Sequence, residues 1–308
     1  MRVAAIDCGT NSIRLLIAEV EGDRVVDLDR RMEIVRLGEG VDRTGRFSDA
    51  ALERTFAACD TYARAIQAAG AERVRFVATS ASRDVSNREA FVAGVSARLG
   101  VAPDVISGDE EARLSFTGAV RGLPAHLAPA PRLVVDIGGG STEFVLGDEE
   151  PEHAVSVDVG CVRMTERHLR SDPPTAEEVA LAVRDIDDAV DRAAATVPVS
   201  QARSLIGVAG SVTTVAAIAL GLTSYDPEAL QGSVVSAAQI DEVTESLLAM
   251  TRAERAALPV MHPGRVDVIA GGALVLRAIL RRTGQGKVVV SEHDILDGIA
   301  WALATSRM

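Results

Sequence analysis

Two stretches of the chain resemble each other. The first is "RVAAIDCGTNSIRLLIAEV" near the start, and the second is "RLVVDIGGGSTEFVLG" from Arg132 to Gly147. Laying Asp7 on Asp136, an offset of 129 residues, brings Gly9 onto Gly138, Ser12 onto Ser141 and Leu15 onto Phe144. Each copy reads as apolar strand, Asp, one residue, Gly, small polar turn, apolar strand, which is the signature of an internal repeat. The copies differ at one chemically weighty position: the first has Arg14 where the second has Glu143. A chain of 308 residues has room for about two domains. The duplication therefore predicts two similar α/β halves with a cleft between them.

The rest of the pattern fits two halves. Residues 3–8, 12–20 and 24–35 read as a strand meander, followed by a helix over 48–69. "RVRFVATS" reads as a strand, 87–99 as a helix, "DVIS" as a short strand and 108–121 as a helix. "GLPAHLAPAP", Gly122 to Pro131, has three prolines and no periodicity and reads as a linker. A second meander follows at 132–137, 142–147 and 153–159. A helix over 175–195 then opens on the capping box Thr175/Glu178, and Ser236/Gln239 and Thr251/Glu254 cap two further helices. "SLIGVAG" reads as a strand, 211–221 and 265–282 as helices, 287–290 as a strand and 294–305 as a last helix. Leu205 to Leu222 is uncharged over 18 residues, but its Gly207, Gly210, Ser211, Thr213 and Thr214 suit a buried strand, turn and helix better than a membrane span.

Composition excludes several function classes. Aromatic residues make up 3% of the chain and the net charge is -12, which argues against base-stacking or broad nonspecific binding to nucleic acid and against anionic membranes. Lys287 is the one lysine, so the basic charge is nearly all arginine. Cys8, Cys59 and Cys161 are few and odd in number, as in a reducing cytoplasm. No Cys/His spacing suggests zinc, and the five histidines (126, 153, 168, 262, 293) are scattered. The first apolar run meets Asp7 at once, unlike a signal peptide.

Glycine lets backbone N–H groups approach an anion closely. Gly138, Gly139 and Gly140 with Ser141 can surround phosphate oxygens, and Gly9, Thr10, Asn11 and Ser12 can do the same; each loop also suits an ordinary hairpin turn. A Walker A loop needs Gly-Lys-Ser/Thr, and Lys287 lies far from every glycine-rich loop. A dinucleotide fingerprint runs from strand to helix, whereas "GGGSTEFVLG" runs from strand to strand. Asp136 and Glu143, on the two legs of one hairpin, can aim both carboxylates at one Mg²⁺; the bland alternative is a turn-capping Asp and a surface Glu. In "ISGDEEARLSF", Ser107 and Glu110 fit a capping box, and Glu111 reads either as a general base or as a solvated acid compensating the helix dipole. Arg83 in "VATSASRDVSN" is a candidate phosphate fork, and Gly210 with Ser211 in "GVAGSVTT" sit at a strand-to-helix junction, a ready anion site. Gly271 and Gly272 read as close helix packing, and Cys8 as a buried thiol.

Taken together, "AAIDCGTNSIRLLIAEV", "ATSASR", "ISGDEEARLSF", "VVDIGGGSTEFVLG", "VGCVRMTERHL" and "GVAGSVTT" resemble the exopolyphosphatase/guanosine pentaphosphate phosphohydrolase (Ppx/GppA) family over essentially the whole chain, in its short two-domain form. The resemblance implies two actin-like (ribonuclease H-like, ASKHA) domains around a central cleft. They would span 1–125 and 126–308, with the helix near 294–308 packing back on the first. It makes Glu111 the catalytic base and Asp136 and Glu143 the Mg²⁺ ligands. It puts phosphate contacts at Asn11, Ser12, Arg83, Gly138, Gly139, Gly140, Ser141, Gly210 and Ser211. It implies a cytoplasmic hydrolase, a homodimer, releasing orthophosphate from shorter polyphosphates, with pppGpp as the alternative substrate. Mn²⁺ would substitute for Mg²⁺, and K⁺ would be an added cation. Less favoured readings are an ATP-dependent kinase of the superfamily and a silent phosphate or alarmone sensor.

Overall fold

The computed structural model describes residues 1–21, 24–83 and 85–305. Arg2–Cys8 (β1) is flanked by Ser12–Glu21 (β2), which pairs in turn with Arg24–Ile34 (β3) in an antiparallel meander. After Val41–Thr44 (α1) and Asp49–Ala69 (α2), Arg73–Ala78 (β4) pairs parallel to β1. Ser80–Arg83 (α3) and Arg88–Leu99 (α4) lead to Asp104–Val105 (β5), parallel to β4, and then to Gly108–Arg121 (α5). The sheet order is β3-β2-β1-β4-β5.

The second meander is Arg132–Ile137 (β6), Thr142–Gly147 (β7) and Pro151–Val157 (β8). It is followed by Cys161–His168 (α6), Ala176–Thr196 (α7), Ser204–Val208 (β9), Ala209–Ala219 (α8) and Pro227–Leu230 (α9). The chain continues as Val234–Ser236 (β10), Ala237–Ala249 (α10), Arg252–Ala256 (α11), Ile269–Thr283 (α12), Lys287–Val290 (β11) and Ile295–Thr305 (α13). The sheet order is β8-β7-β6-β9-β11-β10, with β9 parallel to β6. Each sheet is thus a meander whose first strand is extended by two parallel strands on its other side, with β10 added antiparallel at the edge of the second. The offset read from the sequence is a duplicated topology.

Apart from Arg2 and Asp7, β1 is apolar because both its faces are covered. Ala4, Ile6 and Cys8 pack with Leu52, Cys59, Tyr62 and Ile66 of α2. Val3 and Ala5 pack with Ile295, Leu296, Ile299 and Trp301 of α13. In the other sheet Leu133, Val135, Ile137, Phe144 and Leu146 face a core built with α7, α8, α10 and α12. Asp136 and Glu143 therefore point to the opposite face, by the period of two along a strand.

The compact units are Met1–Gly118 with the chain from Ile295 on, and Ala119–Asp294. The sequence placed the boundary at 125/126. The proline-rich segment is fastened to the second unit: Ser204 Oγ donates to Pro129 O (2.9 Å), Arg132 Nε to Ala128 O (2.7 Å) and Gln231 Nε2 to Gly122 O (2.7 Å). Other departures are local. "VGCVRMTERHL" forms α6, which the sequence left unassigned, and α12 starts at Ile269, after a single 3₁₀ turn at Pro263–Arg265. Ser107 Oγ accepts from Glu110 N–H (3.2 Å), but the Glu110 carboxylate turns to Arg75 (2.6 Å), so the expected reciprocal box is half made. The boxes at Thr175, Ser236 and Thr251 are complete. The uncharged stretch from Leu205 is β9 running into α8, and no described helix is long and apolar enough to cross a membrane.

Candidate active site

In the first unit the candidate residues gather at the carboxyl ends of three adjacent parallel strands, where open α/β sheets bind ligands. Asn11 and Ser12 follow β1, Arg83 closes α3 just after β4, and Glu111 lies in the first turn of α5 after β5. The hairpin closes through Gly9 N–H to Ser12 O (2.9 Å). Glu111 is 8% exposed, and its carboxylate takes a hydrogen bond from Arg83 Nη1 at 2.7 Å. It is not the solvated acid of the bland reading. Asp7 stands opposite Arg14 in the β1–β2 register, and the two form an ion pair at 2.7 Å. Hairpin one thus cancels its own carboxylate.

The second unit repeats the geometry with different charge. Gly138 N–H donates to Ser141 O (3.1 Å), the same closing bond at the same offset. Here Asp136 stands opposite Glu143, so register alone brings two carboxylates side by side. Both are buried, Asp136 7% exposed and Glu143 1%, which removes the surface-Glu alternative. Ser141 Oγ and Ser156 Oγ each donate to Glu143 Oε1 at 2.7 Å, fixing that carboxylate. Two buried hard oxygen donors side by side suit Mg²⁺, which completes its octahedron with water and substrate phosphate. Among the described residues no group of three or more His, Cys, Asp or Glu is placed to hold a metal.

Gly210 and Ser211 lie in the first turn of α8, at the end of β9. Ala209 before them has φ +70°, the left-handed region. A left-handed residue leading into a helix turns successive N–H groups toward one point, an anion-binding nest. Arg265 lies flat against Gly210: a Cβ there would come within 2.3 Å of its Nη2. Arg265 Nη1 donates to Thr214 Oγ1 at 2.9 Å. Sequence reasoning missed Arg265, since nothing marks it among so many arginines beyond its place after Pro263-Gly264. It also missed Ser156 and Arg163; Arg163 Nε donates to Gly140 O at 2.6 Å. Gly160 lies over the glycine loop, where a Cβ would come within 2.5 Å of Gly139 O. His262 caps the 3₁₀ turn through Nδ1.

The thiols are not nucleophiles. Burial holds the Cys8 thiol well above the usual range, raises that of Cys161 and pushes Cys59 up to about 12. Gly271 and Gly272 are buried in α12 against Cys161 and Thr165 of α6, the close helix packing expected of them.

Fold and loops define a duplicated α/β protein with a glycine-bearing hairpin at the head of each sheet. Comparisons refine the class. Residues 16–306 match the pattern of the Ppx/GppA phosphatase family. "Exopolyphosphatase 2" of Mycobacterium tuberculosis is 52% identical, covering 98% of each chain. A crystal structure of an exopolyphosphatase-like protein superposes with a TM-score of 0.94 at 45% identity, covering 97% of this chain and 96% of that one. The crystal structure of the Aquifex aeolicus member of the Ppx/GppA family superposes with a TM-score of 0.81 at 29% identity, over 100% and 99% of the chains. The chain belongs to the Ppx/GppA phosphatase family.

Proposed function

We propose that this chain is an exopolyphosphatase, a hydrolase that releases terminal orthophosphate from inorganic polyphosphate. The observation that carries the mechanism is the buried Glu111 carboxylate held against Arg83 at 2.7 Å. A buried, oriented carboxylate beside a guanidinium fork is the pairing needed to activate water next to a bound phosphate. Glu111 takes a proton from a water in line with the terminal phosphorus. The water oxygen bonds to phosphorus as the bond to the bridging oxygen breaks, and the shortened chain leaves with that oxygen and its electron pair. Arg83 can keep one edge on Glu111 and turn its remaining N–H groups to the phosphoryl oxygens.

Within the second unit the N–H groups of Gly138 to Ser141 and of Gly210 and Ser211 are disposed to donate to phosphate oxygens, and within the first unit Asn11 and Ser12 are disposed to do the same. Such positioning and charge stabilisation is most of what phosphoryl transfer asks of a protein. Asp136 and Glu143 would hold Mg²⁺, which when bound supplies charge neutralisation on the transferring group. Arg265, against Gly210, adds positive charge to that nest.

Phosphate release is to be measured with polyphosphates of defined length, with pppGpp, and with ATP in the presence and absence of acceptors. Each arm is run with Mg²⁺, Mn²⁺ or chelator, and with K⁺ or Na⁺. Polyphosphate, short chains foremost, is expected to give the highest kcat/KM; a higher value for pppGpp reassigns the substrate, and phosphate transfer from ATP to an acceptor reassigns the reaction. Glu111→Gln is expected to lower kcat by about 10²–10⁴-fold with an unchanged fold and retained polyphosphate binding. A folded variant that hydrolyses at the wild-type rate removes Glu111 from the role.

A further inference from the structure

Thr79 directly follows β4, and its hydroxyl has no task within the fold. The residue is buried, at 4% exposed. Its Oγ1 makes no hydrogen bond to any described residue, yet it is not among the unpartnered oxygens sealed in the interior, as Ser82 Oγ three residues on is. It therefore opens to solvent. The bland task for a threonine at this place is to cap α3, and it is not performed. Ser82 N–H goes to the Thr79 carbonyl oxygen at 2.9 Å, not to the hydroxyl. A hydroxyl spared from its local bond, on a side chain otherwise buried, points to a ligand.

The hydroxyl lies against the first hairpin loop. A Cβ on Gly9 would come within 3.6 Å of Ser12 O and 3.8 Å of Thr79 Oγ1. The duplication says what this place is for. In the first sheet Asp7 pairs with Val77 and Cys8 with Ala78, and in the second Asp136 pairs with Val208. Laying Asp7 on Asp136 therefore brings Val77 onto Val208, Ala78 onto Ala209 and Thr79 onto Gly210. Gly210 is in the first turn of α8, where an N–H finds no carbonyl within the helix and is left to donate outward. The Thr79 N–H is already spent on Cys8 O at 3.1 Å. Where the second unit offers a backbone donor, the first has used its own and carries a hydroxyl instead.

Neighbouring groups set the chemistry of the ligand. Ile106 N–H donates to Ala78 O at 3.1 Å, which puts Thr79 beside the chain that leads into Ser107 and Glu111. The helix α3, starting at Ser80, carries Arg83 to the Glu111 carboxylate at 2.7 Å. Since β4 lies between β1 and β5 in the sheet, Thr79 stands between the hairpin loop and the Arg83–Glu111 pair. A neutral hydroxyl donor in that place suits an anionic oxygen, and its hydrogen bond is strengthened by the charge of the acceptor. We infer that Thr79 is a substrate-contacting residue, its Oγ1–H donating to a nonbridging oxygen of the terminal phosphate of polyphosphate, alongside Asn11 and Ser12. This inference rests on the exopolyphosphatase reading.

The test uses Thr79→Val, which removes the hydroxyl and keeps the branched shape, and Thr79→Ser, which keeps the hydroxyl. Tripolyphosphate binding is measured calorimetrically in the Glu111→Gln background, where turnover does not interfere. The Val variant is expected to bind about tenfold more weakly, the loss of one hydrogen bond to a charged group. The Ser variant should stay within about threefold of the chain with Thr79 intact. The slope of log Kd against log salt should not change, because a neutral donor displaces no counterion. Thr79→Val should melt no lower while binding worse, since a hydroxyl without a protein partner contributes no bond to the fold; a packing role does not produce that combination. Unchanged affinity in the Val variant would overturn the inference. Equal losses in the Val and Ser variants, a flattened salt slope, or a fall in melting temperature that accounts for the weaker binding would overturn it as well. If the Glu111→Gln chain with Thr79 intact binds no tripolyphosphate, the exopolyphosphatase reading falls and this inference with it. If that chain binds and the Val variant binds equally well, only the role of Thr79 falls.

Discussion

Asp109, Glu110 and Glu111 share one helical turn, yet only Glu111 is buried. All three favour a helix N-terminus, so dipole logic cannot separate them. Tertiary packing does, through the arrival of Arg83. The side-by-side placement of Asp136 and Glu143 was easier to read, because a tight hairpin fixes the cross-strand pair. Ser156 was hidden one strand further away, and Arg265 lies far along the chain. The strained residues were also invisible, since nothing in "GVAGS" says that the alanine and not a glycine takes φ +70°. That position carries a prediction. Relief of left-handed strain is worth about 1–2 kcal/mol, and the added freedom of glycine in the unfolded chain costs about 0.5–1 kcal/mol. Ala209→Gly should therefore stabilise the protein by up to about 1.5 kcal/mol in urea unfolding. A clear loss of stability would mean that the alanine methyl makes contacts worth more than the strain.

Elements were legible where the sequence carries both a boundary signal and a period. The helices opening after Thr175, Ser236 and Thr251 carry reciprocal capping boxes, and their starts were placed within a residue. α6 has no capping side chain and only eight residues, too few for a period to stand out. The caps are also pH-sensitive. Glu178 is held below its ordinary value chiefly by the Thr175 backbone N–H, and Glu254 chiefly by that of Thr251. A carboxyl whose folded pKa lies below its unfolded one stabilises the fold above the unfolded value, and loses that contribution as pH falls through the folded one. The starts of α7 and α11 should thus hold at pH 7 and loosen as pH drops below about 4.5, the ordinary value for glutamate. Amide exchange at residues 176–178 and 252–254 should quicken relative to the pH-corrected intrinsic rate. In Glu178→Gln the α7 start should lose that pH dependence; an unchanged acid limb in this variant would show that another group carries it.

At the scale of the whole molecule the duplication was plain in the sequence, but the path of the chain between its halves was not. α13 is apolar around most of its circumference, which says that it is buried but not against which sheet. Its nearest strand in sequence is β11 of the second unit, yet it packs on β1, β2 and β4 of the first. There Ile295, Leu296, Ile299, Ala300 and Trp301 cover Val3, Ala5, Leu16 and Val77. Asp297 pairs with Arg30 at 2.7 Å, and a Cβ on Gly298 would come within 2.0 Å of Leu114 O. The first unit is therefore completed by the end of the chain. Each large apolar side chain buried in such a contact contributes about 1.5–3 kcal/mol. Ile295, Leu296 and Ile299 together therefore approach the roughly 5–15 kcal/mol that holds a typical domain. A chain ending at Asp294 should accordingly fail in the half from which it was not cut. Exchange protection is expected to collapse in β1, β2 and β4, while β6, β7, β9 and β11 stay protected. Loss confined to the strands next to the cut, β10 and β11, with β1 intact, would show that the first unit stands without the helix.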